Sequence, residues 1–280
     1  MFDIGTLSAE PTMSERPISD YTRLTQDRYR RRLVKSWGIE PGETLLEIGC
    51  GQGEMTRALA RAVGPSGRVV AVDVADRGYG TPMTLGEATD ELKVSSLGRR
   101  VEFHFEFDLL ECPEGVWSTR FDRVVLAHSS WYFASAHELA AAFRKLRPWS
   151  GTLCFAEWDI EPRLLSQVPH LLAVLVQGQV EAFKDGSQAN VRTPLHRHQV
   201  MDLLTEAGWT PVRRNAVDTR GLQDADWEIG ACLRSSVHDA QIAGLPDKLV
   251  RLIEAEVETL RALALPRGNR PLPSYSVVLT

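Results

Sequence analysis

The segment LLEIGCGQG at 45–53 holds the residues best spaced for chemistry, with Glu47 followed by Gly49, Gly51 and Gly53, and then by Glu54. Glycines at alternate positions let a backbone turn tightly and approach a ligand closely, although an ordinary strand-to-helix turn uses the same residue type. A dinucleotide fingerprint, G-x-G-x-x-G, needs glycine where Glu54 stands. A carboxylate at that helix end repels the pyrophosphate that would occupy it. S-adenosylmethionine has no phosphate and carries a sulfonium and an ammonium, both of which an acidic rim at Glu47 and Glu54 attracts. The sign of the charge favours the sulfonium cofactor.

An acidic residue followed by G-x-G-x-G resembles the first motif of the class I S-adenosylmethionine-dependent methyltransferases. The likeness covers about residues 20–160 and the final strand. It implies that Gly49, Gly51 and Gly53 pass the methionine part of the cofactor, and that Glu47 shapes the turn and helps to hold the amino group. Asp73 stands twenty residues beyond Gly53 at the end of the second strand, where a carboxylate can accept from both ribose hydroxyls. Taken alone, an Asp after a strand is a common turn or cap residue. Asp108, in FEFDLL, occupies the place where the family puts a carboxylate near the adenine amino group, with the Leu109 N–H available to a ring nitrogen. Capping a short helix is the competing role. A narrower similarity, to stand-alone small-molecule methyltransferases of microbial metabolism, is carried by Gln26 and Arg30 upstream of Trp37, then LEIGCGQG, YGTP, LAHSSWYF and AEW. It adds Gln26 and Arg30 to the expected cofactor contacts. The loop at 75–86 is longer than a minimal connection, and Tyr79, Gly80 and Thr81 can line the adenosine side.

In such a fold the fourth strand delivers a loop to the open side of the sulfonium, so AHSSWYF at 127–133 is the expected floor of the reaction chamber. His128 can serve as general base toward a hydroxyl or amine, or can pack the cofactor. Ser129 and Ser130 read as structural, and Trp131, Tyr132 and Phe133 read as either core or acceptor walls. Glu157 and Trp158, after the fifth strand, fall at the same end of the sheet. Glu157 can orient or deprotonate an acceptor there, or can be a surface or capping residue, while Trp158 is expected in the acceptor pocket. His170, Glu181, Asn190 and Arg192 are further polar candidates for acceptor selection, each also explicable as structural.

The elements that must position these residues alternate strand and helix. A helix is expected at 20–37. Strands are expected at 44–48, 68–73, 100–107, 121–128, 150–158 and 209–218, with a seventh at the end of the sequence. Helices are expected at 54–63, 84–98, 135–147 and 196–208. This is an α/β fold, a Rossmann-like, seven-stranded, mostly parallel sheet with helices on both faces. Helical stretches at about 160–195 and 225–264 read as cap insertions on one domain spanning 20–280, and 1–19 reads as a disordered leader.

The 280 residues are 43% hydrophobic and 25% charged, with a net charge of −5. That is a globular composition without the basic excess typical of nucleic-acid binding. The apolar run LLAVLV at 171–176 is far short of the roughly 20 residues that cross a bilayer. Neither a secretory nor an organellar signal is evident, and the four cysteines form no C-x-x-C pair, so a cytoplasmic setting is expected. His196 and His198 form a lone H-x-H pair, so a metal-dependent reaction is not expected. The oligomeric state is left open, a homodimer included. The expected function is methyl transfer from S-adenosylmethionine to O, N or C of a small organic molecule, with no nucleic-acid or membrane partner. The alternative is a methyltransferase-like protein that binds the cofactor without methylating, as a regulator or as a scaffold for another reaction.

Overall fold

Four short, mainly apolar strands form the centre of the sheet: β1 (Thr44–Ile48), β2 (Arg68–Val72), β4 (Arg123–Ala127) and β5 (Leu153–Trp158). Strand side chains alternate between faces, so runs apolar on both parities must be covered on both sides. Leu45, Val69, Val125 and Cys154 face the layer of α1 (Asp20–Trp37) and α2 (Glu54–Ala62). Leu46, Val70, Val124 and Phe155 face α4 (Ala136–Leu146) and α6 (Arg197–Glu206). The computed structural model describes residues 20–280 other than 114, 188 and 266–267, so the expected leader at 1–19 lies outside the described residues.

The sheet order is β3-β2-β1-β4-β5-β7-β6, with β3 at Val101–His104, β6 at Pro211–Val217 and β7 at Ser274–Leu279. All neighbours through β5 pair in parallel, whereas β7 runs antiparallel to both β5 and β6. The chain winds outward from β1 through β2 to β3, then returns to the other side of β1 as β4. That reversal opens a crevice beyond the carboxyl ends of β1 and β4. Trp37, at the end of α1, is almost fully buried and donates its indole N–H to the Phe155 carbonyl (3.3 Å). This anchor holds α1 against the sheet and carries the middle of α1 over the crevice.

Some boundaries differ from expectation. The third strand stops at His104, because Glu106 takes a left-handed φ of 54° and Phe107 N–H turns back to the Asp73 carbonyl. The helix expected at 84–98 is α3, Leu85–Val94, opened by a reciprocal Thr84–Glu87 capping box. The stretch at 225–264 is two helices, α7 (Asp224–Ile242) and α8 (Asp247–Leu263), because Gly244 at φ +69° ends the first and Pro246 precedes the second. With α5 (Val168–Glu181) they enclose a separate apolar cluster that includes Val176, Val180, Ile229, Ile253 and Val257. Among the described residues no helix is long and apolar enough to cross a membrane.

Candidate functional site

The turn after β1 is built on left-handed backbone, with Gly49 at φ +72° and Gly51 at φ +51°. A Cβ on Gly49 would stand 2.7 Å from Ser129 Cβ, whereas a Cβ on Gly51 would project into open space within the crevice. The first glycine is therefore required by packing as well as by its φ, and the second by its left-handed φ alone. Gly49→Ala is expected to destabilise the protein by about 2 kcal/mol or more, from left-handed strain plus the clash, read as a lowered denaturant midpoint. Asp73 fastens the turn from β2: its Oδ2 accepts from the Gly51 N–H (2.8 Å) and its Oδ1 from the Ala75 N–H (3.0 Å).

A cavity of about 220 Å³ lies over this turn, with Gly49, Gly51, Arg30, His128, Trp158 and Asp224 among its walls. Gln26, Tyr29 and Arg30 share one face of α1 and all line it, as does Tyr132, which is 45% exposed. Arg30 forms an ion pair with Glu54 at the start of α2. Glu47 is 2% exposed, and its Oε2 has no hydrogen-bond partner. Burial is the main cause that pushes the Glu47 carboxyl up to about 8, with the charge of Asp73 adding to it and Arg30 opposing.

Opposite the glycine turn, His128 ends β4 at φ 54°, a left-handed conformation rare for a side chain of this size and held by its N–H bond to the Ala156 carbonyl (2.9 Å). The backbone twist presents the ring to two partners at once. Nδ1 lies 3.1 Å from Glu157 Oε1, and Nε2 lies 2.6 Å from the Tyr29 hydroxyl. Glu157, only 1% exposed, is saturated: its Oε1 also accepts from Trp158 N–H, and its Oε2 accepts from the Ser130 N–H (3.1 Å) and hydroxyl (2.6 Å). A carboxylate held by fixed donors can only accept, so His128 Nδ1 donates to it. The Tyr29 hydroxyl donates to Ser274 Oγ on β7 (2.6 Å), and burial pushes the Tyr29 phenol well up, so it stays protonated. The chain Glu157–His128–Tyr29–Ser274 thus fixes the imidazole at both ring nitrogens.

Several expected residues are placed differently. Glu157 is neither at an acceptor surface nor a surface or capping residue: it is sealed behind His128 with its oxygens taken and positions the imidazole. Of the two readings of Trp131, acceptor wall and core, the structure gives the core: it is 5% exposed beside α1 and does not line the cavity. Asp108 caps a turn through Oδ1, which accepts from the Leu110 (2.7 Å) and Glu111 (3.2 Å) N–H groups, and the Leu109 side chain is buried in the core. His170 is fully buried; its Nδ1 accepts from Leu272 N–H, and burial lowers its pKa to about 3, keeping it neutral. Glu181 pairs with Lys184, Asn190 is exposed, and Arg192 donates to the Tyr132 carbonyl, so none of these reaches the cavity wall. His196 caps α6, next to Asp159 and Glu161, where Arg197 supplies the counter-charge to both acids. The four cysteines are free thiols. Sequence reasoning missed Tyr29, whose signal was its i+3 spacing from Gln26, and Asp224, which had none.

The methyltransferase-domain family matches residues 21–213, more than half of the sequence. The chain belongs to this methyltransferase family. Methyltransferase phomM' of Diaporthe leptostromiformis is 30% identical over 210 residues, which cover 61% of this chain and 53% of that protein. The chain spans about half the length of this protein and of its counterpart phomM. Among solved structures, a cyclopropane-fatty-acyl-phospholipid synthase-like protein from Lactobacillus casei is 33% identical, with a TM-score of 0.82 over 96% of this chain and 94% of its own. The [4+2]-cyclase SpnF, at 17% identity and a TM-score of 0.54 over 90% of this chain and 80% of its own, shares the fold alone.

The cofactor of this methyltransferase chain is S-adenosylmethionine, and the residues of the crevice fit it. The cavity over Gly51 leaves room for the ligand and Arg30 suits a carboxylate, whereas Glu47, with its unpartnered Oε2, is buried and, like Gly53, Asp73, Asp108 and Leu109, is not among the lining residues.

Proposed function

We propose that this chain moves the methyl group of S-adenosylmethionine to an oxygen, nitrogen or carbon of a small organic acceptor, with His128 as the base that takes the acceptor's proton. The observation that carries the reading is the single cavity in which the glycine turn faces the His128 ring. When bound, the cofactor supplies a methyl group already activated by its sulfonium. Gly49, Gly51 and Gly53 then pass its methionine part, Asp73 accepts from the ribose hydroxyls, and Asp108 Oδ2 with the Leu109 N–H meets the adenine. Gln26 and Arg30 hold the carboxylate end, with Arg30 exchanging Glu54 for it. Tyr132 and Trp158 wall the acceptor. Holding the nucleophile in line can supply about 7–11 kcal/mol of the barrier reduction, so only one base is asked of the protein. When the acceptor is bound, His128 Nε2 gives up its Tyr29 contact and receives the proton, and Glu157 steadies the imidazolium. The mildly acidic balance and the absence of a basic surplus support a small-molecule acceptor and a cytoplasmic setting rather than nucleic acid. Residues 20–280 read as one domain, with α5, α7 and α8 as its cap.

Titration calorimetry tests the reading. S-adenosylhomocysteine is expected to bind, and preferential binding of a nicotinamide dinucleotide overturns the proposal. The proton balance of the same titration is a second expectation. With a pKa of about 8, Glu47 is mostly protonated at pH 7 before the ligand arrives, and a neighbouring ammonium favours its ionised form. Binding at pH 7 should release up to about one proton, seen as a heat that varies with the ionisation enthalpy of the buffer. Glu47→Gln should abolish that variation. In the free protein the sign is opposite to that of a salt-bridged acid: folded Glu47 holds its proton more tightly than unfolded Glu47, so its contribution is lost as pH rises from about 4.5 to 8.

A further inference from the structure

The cap supplies two carboxyl groups that the reading above leaves unused. Asp224 and Glu228 stand one turn apart on the same face of α7, and Asp224 is part of the cavity wall. Their hydrogen-bond partners are neutral amides. Asp224 Oδ2 accepts from Gln26 Nε2 (3.1 Å), and Glu228 Oε2 accepts from Gln177 Nε2 on α5 (3.0 Å). Arg30, the one Lys or Arg among the described residues of the cavity wall, is engaged with Glu54. Burial is the main cause that raises the carboxyls of both Asp224 and Glu228; the charge of Asp224 adds to the shift at Glu228, while His128 and Arg30 oppose it at Asp224.

Aromatic rings line one part of the chamber. The rings of Tyr29 and Trp158 are parallel to within 3° with centroids 6.3 Å apart, the His128 ring lies 4.8 Å from that of Trp158, and Tyr132 lines the same space. Aromatic faces carry the negative side of the ring quadrupole and attract cations, more strongly when water is excluded. Carboxyls that form no ion pair, beside aromatic rings, repel a carboxylate or phosphate, gain little from a neutral alcohol, and gain an ionic hydrogen bond from an ammonium.

We propose that the acceptor is an amine, held as its ammonium by Asp224 with Glu228 behind it and by the faces of Trp158 and Tyr132. This deepens the methyl-transfer reading and rests on it. The ammonium gives one proton to His128 Nε2, which exposes the nitrogen lone pair. That pair forms the N–C bond while the electrons of the S–C bond go to sulfur, leaving a neutral thioether. The product is the N-methylated ammonium, so charge and protons balance, and it can pair with Asp224 again. Glu47, at the glycine turn, serves the cofactor's own ammonium, and Asp224, on the cap, serves the acceptor's.

The experiment uses the full chain saturated with S-adenosylhomocysteine and three probes of one size: benzylamine, benzyl alcohol and phenylacetate. Benzylamine is expected to bind at least about tenfold more tightly than either of the others. Asp224→Asn, which preserves shape, should weaken benzylamine about tenfold or more, and Glu228→Gln should weaken it by a smaller factor. Both variants should keep S-adenosylhomocysteine affinity within about threefold of the parent. Equal binding of the three probes, or no benzylamine binding at 10-millimolar order, overturns the amine proposal. So does an Asp224→Asn variant that loses cofactor affinity as strongly as amine affinity, because it moves Asp224 to the cofactor. Failure of the parent protein to bind S-adenosylhomocysteine is a separate result that removes the methyl-transfer reading itself.

Discussion

His128→Ala is expected to lower turnover by about 10²–10⁴-fold, the range typical of a positioned general base, while changing S-adenosylhomocysteine affinity by no more than a few-fold. The measurement is release of S-adenosylhomocysteine with an acceptor the protein turns over, set beside calorimetric affinity for the same compound. The structure favours this separation because the ring is held from behind, by Glu157 at 3.1 Å and Tyr29 at 2.6 Å, and loses those bonds without disturbing the Gly49–Gly53 turn. The partners left behind are not orphaned: Glu157 Oε1 keeps Trp158 N–H, and Tyr29 keeps Ser274. Equal loss of turnover and affinity would make His128 a residue that packs the cofactor.

Asp73→Ala is expected to weaken S-adenosylhomocysteine binding by about 1.5–3 kcal/mol, roughly ten- to more than a hundredfold. Two effects add. The ribose hydroxyls lose a charged acceptor, and the Gly51 and Ala75 N–H groups lose the carboxylate that holds the turn. Asp73→Asn, which keeps one acceptor oxygen, should fall between the alanine variant and the parent. Unchanged affinity in a folded alanine variant would dismiss the ribose contact.

How far the sequence carried these conclusions depended on distance along the chain. β1, its glycine turn and the position of Asp73 at a strand end were legible because short, largely apolar runs bounded by glycines mark buried strands, and the seven-stranded, mostly parallel sheet followed from alternating strands and helices. The role of Glu157 was not. A carboxylate at a strand end has the same local signature whether it faces solvent or is closed in by Ser130, 27 residues away in sequence. Trp131 and Tyr132 are adjacent in one short turn, yet one points into the core and the other toward the cavity, a difference set by the phase of the turn rather than by composition. Tyr29 carried the right spacing with Gln26 and Arg30 but was also a natural member of the buried stripe of α1, and it is both. Asp224 was out of reach because a cap helix brings it to a turn formed more than 170 residues earlier.

The place of β7 has a consequence for how the protein is made. Residues 274–279 slot between β5 and β6, so both of those strands are synthesised well before the strand that joins them. On the ribosome the β5 edge stays open to wrong pairing until β7 emerges, a long-range step of the kind that folds slowly and exposes intermediates to aggregation. The hydrogen bond from Tyr29 to Ser274 spans 245 residues of sequence, so the hydrogen-bonded chain that holds His128 is completed only after that strand has docked. Nascent chains halted before residue 274 should lack that hold on the imidazole.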